Sequence, residues 1–265
     1  MRLVIILFVS VFLSCGVPKQ LTLPSSNIAE NVYIDKFSNI YTLTADRQVV
    51  QYNSAGEELF RFANNQQGAI THVDVTNSQN ILAYQADYGT LIILDNTLAE
   101  LTTLDLGQLN YLDIKAIATS NDGNYWIYDH INWQLIKIDR AGKKIVQSNR
   151  LSDYNLKPFE PIFLKERKNK VYLSTTDETL IIFDNLGQYD KHIKLEGIGK
   201  FSVISDVVSY LYKGEIISFD LLQLENYAVD PLSSTNSMDI IDFTQNQTTE
   251  IYLKRNGTFT INQKK

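Results

Sequence analysis

The chain has 265 residues, 44% of them hydrophobic, with 30 acidic and 24 basic residues and a formal net charge of −6. This acidic balance argues against a nucleic-acid partner, because such binding depends on Lys and Arg neutralising phosphates. The single cysteine excludes an intramolecular disulfide framework. The length suits one large domain or two small ones.

Residues 1–14 predict a secretory signal peptide. Arg2 precedes a run over residues 3–13 that is apolar except for Ser10 and is too short to span a bilayer as a helix. Residues 12–16, Phe-Leu-Ser-Cys-Gly, resemble the lipobox of bacterial lipoproteins. The resemblance implies cleavage before Cys15 and acylation of its sulfur. An ordinary signal with an incidental cysteine, or a short uncleaved anchor, is the alternative.

The lipoprotein interpretation assigns residues 15–19 to the lipidated cysteine and a tether. It places the protein in a Gram-negative cell envelope, held to the outer membrane by lipid. Residues 16–20 contain no acidic side chain, which favours a domain that faces the periplasm. The lipid on Cys15 is the only covalent group expected.

The rest of the chain repeats a short apolar strand rich in tyrosine. Its six copies, spaced by 38 to 46 residues, are residues 40–43, 81–84, 125–128, 171–174, 209–212 and 251–254. Each copy (strand B) follows a shorter apolar strand (A) and precedes strand C and a more polar strand D. No stretch shows helical periodicity over three turns. An all-strand repeat of this length predicts a β-propeller.

The pattern resembles six-bladed propellers of the NHL and lactonase-like type, with four antiparallel strands in each blade. The sixth repeat lacks a strand D, whereas the early strand at residues 20–24 has no blade of its own. We therefore expect residues 20–24 to complete the last blade and close the ring, which would remove an exposed edge. The propeller domain then spans residues 20–265.

In propellers the B–C hairpins and D–A loops share one face, which commonly carries the function. Four of the six hairpins place an aspartate just after strand B, which suits either a cation-binding ring or ordinary turn formation. The candidate binding residues contributed by these hairpins are Asp46, Arg47, Asp87, Tyr88, Asp129, His130, Asn132, Trp133, Asp177, Lys213 and Arg255.

The third hairpin, residues 129–133, is the most distinctive because it is longer than the others and contains both a histidine and a tryptophan. An exposed Trp133 beside Asp129, His130 and Asn132 would suit recognition of a protein, peptide or glycan. The alternative is that Trp133 packs between blades. The basic cluster Lys165, Arg167, Lys168 and Lys170 is interpreted as a solvated A–B turn.

Signatures of catalysis are weak. The three histidines fall on different repeat positions, which argues against a shared zinc site, and no Gly-x-Ser-x-Gly motif occurs. Calcium ligands would have to come from scattered carboxylates, namely Asp74, Glu160, Asp206, Asp239 and Asp242. The sequence therefore favours a non-catalytic binding or scaffold protein without a cofactor. The alternatives are a lactonase-like hydrolase with a metal in its channel, and an accessory subunit of an outer-membrane secretion or assembly machine.

Overall fold

The computed structural model describes residues 19–22, 28–64, 68–228 and 239–264. The predicted signal peptide and Cys15 lie outside the described residues. Those residues form six antiparallel four-stranded sheets, arranged as the blades of a propeller. The predicted fold is confirmed. Two short 3-10 turns, Ala86–Tyr88 and Leu151–Tyr154, lie in connections.

The strands are numbered in chain order. Blade 1 contains β2 (Ala29–Ile34), β3 (Ile40–Thr44), β4 (Val49–Tyr52) and β5 (Glu58–Phe62). Blade 2 contains β6 (His72–Asp74), β7 (Ile81–Gln85), β8 (Thr90–Leu94) and β9 (Glu100–Asp105). Blade 3 contains β10 (Ile114–Thr119), β11 (Tyr125–Asp129), β12 (Gln134–Ile138) and β13 (Lys144–Gln147). Blade 4 contains β14 (Pro161–Arg167), β15 (Lys170–Thr175), β16 (Thr179–Asp184) and β17 (Tyr189–Lys194). Blade 5 contains β18 (Phe201–Ile204), β19 (Val207–Tyr212), β20 (Glu215–Asp220) and β21 (Glu225–Ala228). Blade 6 contains β22 (Ile240–Gln245), β23 (Thr249–Lys254), β24 (Thr258–Gln263) and the N-terminal β1 (Lys19–Thr22).

The N-terminal strand closes the ring as predicted. β1 pairs antiparallel with β24, so that Leu21 lies opposite Phe259. The strand begins at Lys19, one residue before the predicted start, and residues 23–27 lie outside the described ranges. Blade 6 is therefore built from one strand that precedes blade 1 and three strands that follow blade 5 in the sequence.

The core lies between the blades, because strands B and C are apolar on both faces whereas strand D is solvated. β3, β7 and β11 are buried along their whole length, whereas β5 is largely exposed. Within the described residues one apolar cluster fills each of the six interfaces. Trp126, fully buried between blades 3 and 4, is among the largest of these side chains.

Buried carboxylates tie neighbouring blades together. Asp74 of blade 2 accepts a hydrogen bond from the Thr119 amide of blade 3, at 2.9 Å. Asp242 of blade 6 accepts one from the Val32 amide of blade 1, at 2.8 Å. Glu166 of blade 4 accepts the Trp126 indole N–H of blade 3 at 2.5 Å. Because charge-assisted bonds of this kind are strong, they fix the blades against one another.

The innermost strands of four blades carry a β-bulge near their start. The register shifts between Ala29 and Asn31, and the same irregularity recurs in β10, β14 and β22. A bulge leaves one residue without a ladder partner and turns its side chain in a new direction. In β14 that residue is Ile162, which is 42% exposed.

Candidate functional site

In the third hairpin, Asp129 organises the turn itself. Its carboxylate accepts the Asn132 backbone N–H at 3.1 Å and the Asn132 side-chain amide at 2.8 Å. Asp129 is only 5% exposed. Asp129 and Asn132, both predicted to be binding residues, are thus brought together and hydrogen-bond to each other.

Trp133 lies at the edge of the core between blades 3 and 4. It adopts a left-handed backbone conformation, with φ of 55°, and its half-buried ring packs 5.6 Å from the Phe159 ring. Its carbonyl accepts the Leu151 N–H at 2.9 Å. This packing leaves only part of the indole available to a partner.

His130 links the hairpin to both neighbouring connections. Its backbone N–H donates to the Asp113 carbonyl at 3.0 Å. Its Nε2 lies 3.2 Å from a Glu160 carboxylate oxygen. These contacts join Asp113, His130 and Glu160, and so connect the segments 112–113, 130–132 and 160–162.

Three exposed apolar side chains stand on the segments that His130 ties together. Leu112 is 74% exposed, Ile131 59% and Ile162 42%. We call these three residues the apolar ridge. They lie on the face formed by the B–C hairpins and D–A loops, which we call the hairpin face. A contiguous group of exposed apolar side chains with a polar rim is typical of a protein-binding surface, whereas single exposed apolar residues are ordinary.

Two other hairpin aspartates, Asp46 and Asp177, serve mainly as local turn acceptors. Asp46 and Asp177 each accept a hydroxyl bond from the threonine two residues earlier, at 2.5 Å. Burial alone would raise the pKa of Asp177, but bonds from Lys194 and two threonine hydroxyls hold that pKa below its usual value. The turn interpretation of these aspartates therefore has direct geometric support.

The remaining predicted residues lie apart on different hairpins. Arg47 pairs with Glu30 at 3.0 Å, and Lys213 lies 3.8 Å from Glu196. Asp87 and Tyr88 form the 3-10 turn of blade 2, where Tyr88 is 64% exposed. Arg255 is exposed on the last hairpin.

The central channel is closed by aromatic rings from four blades. The ring of His72 in blade 2 lies 5.3 Å from that of Phe163 in blade 4, and Phe163 lies 5.1 Å from Phe201 in blade 5. Tyr33 of blade 1 meets the edge of His72 at 6.5 Å. Burial lowers the pKa of His72 to about 4, so this imidazole is uncharged at neutral pH.

The carboxylates of the channel are paired with lysines. Lys200 Nζ lies 2.5 Å from Asp242 and also donates to the Val32 carbonyl. Lys165 Nζ lies 3.7 Å from Asp74. Burial lowers the pKa of Lys200, although Asp242 opposes this effect. Within the described ranges, three or more His, Cys, Asp or Glu side chains nowhere converge as a metal site would require.

The sequence interpretation of the basic A–B turn is wrong. Lys165 and Arg167 belong to strand β14 and line the channel, whereas Glu166 between them is buried against blade 3. Only Lys168 and Asn169 form the turn, and both have positive φ, 49° and 59°.

In the described part of the chain, no helix is long and apolar enough to cross a membrane.

No protein-family model matches the sequence, and no curated protein matches it. Solved structures are similar over nearly the whole chain. Virginiamycin B lyase from Staphylococcus aureus matches with a TM-score of 0.65 at 7% identity, over 92% of this chain and 98% of that one. BamB from Moraxella catarrhalis matches with a TM-score of 0.54 at 12% identity, over 91% and 84%. The Neurospora crassa Pan2 WD40 domain matches with a TM-score of 0.64 at 10% identity, over 91% and 93%. At such identities the likeness shows the propeller fold alone.

Proposed function

We propose that this protein is a lipid-anchored propeller of the bacterial cell envelope that binds a protein partner through its hairpin face and catalyses no reaction. The apolar ridge carries this proposal, because Leu112, Ile131 and Ile162 are exposed on segments that hydrogen bonds hold in place. A preorganised apolar surface lowers the entropy cost of association. The polar rim would be supplied by Asn132, Glu160 and the neighbouring hairpins.

The channel carboxylates support a structural use of the propeller axis. Asp74 and Asp242 both accept a backbone N–H from the next blade and face a lysine. A catalytic carboxylate needs access to its substrate. In Asp74 and Asp242 one oxygen bonds to the next blade and the other accepts a local bond from Thr76 or Phe243. The axis then provides rigidity, and the hairpin face provides recognition.

Photo-crosslinking tests the partner surface. A photoreactive amino acid at position 131 or 112 should capture an envelope protein, whereas the same group at Leu186 or Leu222 should not. These controls are 63% and 75% exposed on C–D turns, on the opposite face. Equal capture from both faces, or no capture at positions 131 and 112, would contradict the proposal. The identity of the captured protein decides whether the partner belongs to an outer-membrane secretion or assembly machine.

The anchor is tested separately with Cys15→Ser. Without the sulfur there is nothing to acylate, so the variant should remain an unprocessed precursor. Wild-type processing and membrane attachment of this variant would contradict the lipoprotein assignment. Protease treatment of intact cells should spare the wild-type domain if it faces the periplasm, and removal of the domain would place it on the cell surface.

A further inference from the structure

The channel widens on the face opposite the hairpins, where the A–B turns lie. A cavity of about 210 Å³ opens there, and we call it the channel-mouth cavity. Rings of Tyr33, Phe163 and Phe201 line it, and these rings belong to the group that closes the channel. The cavity is therefore closed at its inner end and is of a size for a small molecule.

Arg167 is half-buried in the wall of this cavity. Among the described residues, no carboxylate lies within ion-pair distance of its guanidinium. The adjacent Glu166 points into blade 3, where it accepts bonds from Ser120 and Trp126. Asp35, which also lines the cavity, accepts the Phe37 N–H at 2.8 Å and the Asn39 N–H at 2.9 Å. A partly desolvated guanidinium without a counter-charge favours the approach of an anion.

Two of the three lysines that line the cavity, Lys200 and Lys165, differ in how many of their donors are already bonded. Lys200 is held tightly by Asp242 and the Val32 carbonyl. Lys165 lies 3.7 Å from Asp74 and donates one bond to the Thr76 hydroxyl at 3.0 Å. Because an ammonium carries three donors, Lys165 retains hydrogen-bonding capacity toward the cavity.

Two largely buried residues with hydroxyl side chains line the same cavity. Ser202 is 8% exposed and Thr244 is 7% exposed, and both line the cavity wall. Neither side chain has a hydrogen-bond partner among the described residues. Each hydroxyl can both donate and accept a hydrogen bond, so both are available to a polar ligand in the cavity.

We infer that the channel-mouth cavity binds the phosphate or carboxylate group of a small soluble molecule. Arg167 supplies the charged anchor, because its planar guanidinium can donate two parallel bonds to either group. Ser202, Thr244 and Lys165 supply further donors. This site goes beyond the proposed protein docking and lies on the opposite face of the ring, so the two proposals can fail independently.

Isothermal titration of the acylated protein in detergent tests this inference, with inorganic phosphate and succinate as separate probes at constant ionic strength. At least one probe should bind at millimolar concentration or below, and the tighter one assigns the ligand class. Arg167→Gln should weaken binding about tenfold or more, since it removes a charge-assisted bond. Lys168→Gln is the matched control, because it removes the same charge one residue away, from an exposed side chain outside the cavity wall. It should leave the affinity within about twofold.

Absence of binding by both probes would overturn the inference, as would equal weakening by the two substitutions. The melting temperature of Arg167→Gln without anion should match that of wild type. If that variant does not fold, Ser202→Ala and Thr244→Val replace it, and each should weaken binding about two- to tenfold. Unchanged affinity in both would also overturn the site.

Discussion

Replacing Lys200 with methionine would test whether its buried ion pair with Asp242 stabilises the closed ring of blades. Lys200 precedes blade 5, its partner Asp242 lies in blade 6, and both contact Val32 of blade 1. The side chains are only 17% and 9% exposed. Methionine keeps much of the volume but leaves the Asp242 carboxylate buried without its cation.

Removing one partner of a buried pair costs about 3–5 kcal/mol, because the remaining charge is desolvated and uncompensated. In a domain of this size each kcal/mol lowers the melting temperature by about 2–4 °C. Lys200→Met should therefore melt about 6–20 °C below wild type. Adding Asp242→Asn should recover part of the loss, since a neutral amide oxygen can still accept the Val32 N–H.

Thermal unfolding followed by circular dichroism provides the measurement. Lys170→Met is the matched control, because Lys170 pairs with Asp190 at 3.2 Å while both side chains are more than 40% exposed. Exposed pairs contribute about 0–1 kcal/mol. Equal shifts for Lys200→Met and Lys170→Met would refute the reasoning, as would a further large loss in the double variant.

Four further outcomes are expected. Because burial lowers the pKa of His72 to about 4 while the unfolded state keeps its ordinary value near 6.5, unfolded chains bind more protons between these pH values. Stability should then fall by about 3 kcal/mol as pH drops across that window. His72→Phe should remove this slope in urea titrations, and His192→Gln should keep it; identical slopes in all three proteins would contradict the assignment. Deleting residues 20–24 should lower the melting temperature far more than a truncation ending at residue 18, because it removes most of the backbone hydrogen bonds between β1 and β24. Equal melting temperatures for the two variants would mean that the ring closes in another way. Trp133→Ala should lower stability by about 1–3 kcal/mol because the indole packs on Phe159, and Trp133→Phe should recover most of it; an unchanged melting temperature would instead favour a purely binding role. EDTA should leave the melting temperature unchanged, whereas a loss reversed by calcium would favour the lactonase-like alternative.

The repeat was visible in the sequence because strand B is apolar on both faces in all six blades. A run such as Tyr125–Tyr128 can be buried on both sides only between two blades, so its spacing gives the blade count. The closing strand could be predicted by counting strands, because the last repeat lacks a strand D and the early strand at residues 20–24 belongs to no other blade. The β-bulges escaped prediction, because the register of β10 or β14 depends on partners rather than on local composition.

The channel-mouth cavity was missed for a local reason. Four basic residues within six positions suggested a solvated turn, although Asn169 carried a contrary signal. Asparagine tolerates the left-handed conformation, and a two-residue turn at Lys168 and Asn169 lets β14 extend to Arg167. The pairing of Lys200 with Asp242 joins residues far apart in the chain, which composition and periodicity do not reveal.

The shared last blade also sets an order of events during synthesis. β1 is made before blades 1 to 5, whereas its partner β24 is made after all of them. Blades 1 to 5 contain all four of their strands in sequence and can pair as they emerge. The ring itself can close only after β24 has been made, so a chain interrupted after blade 5 would contain five complete blades and an unpaired β1.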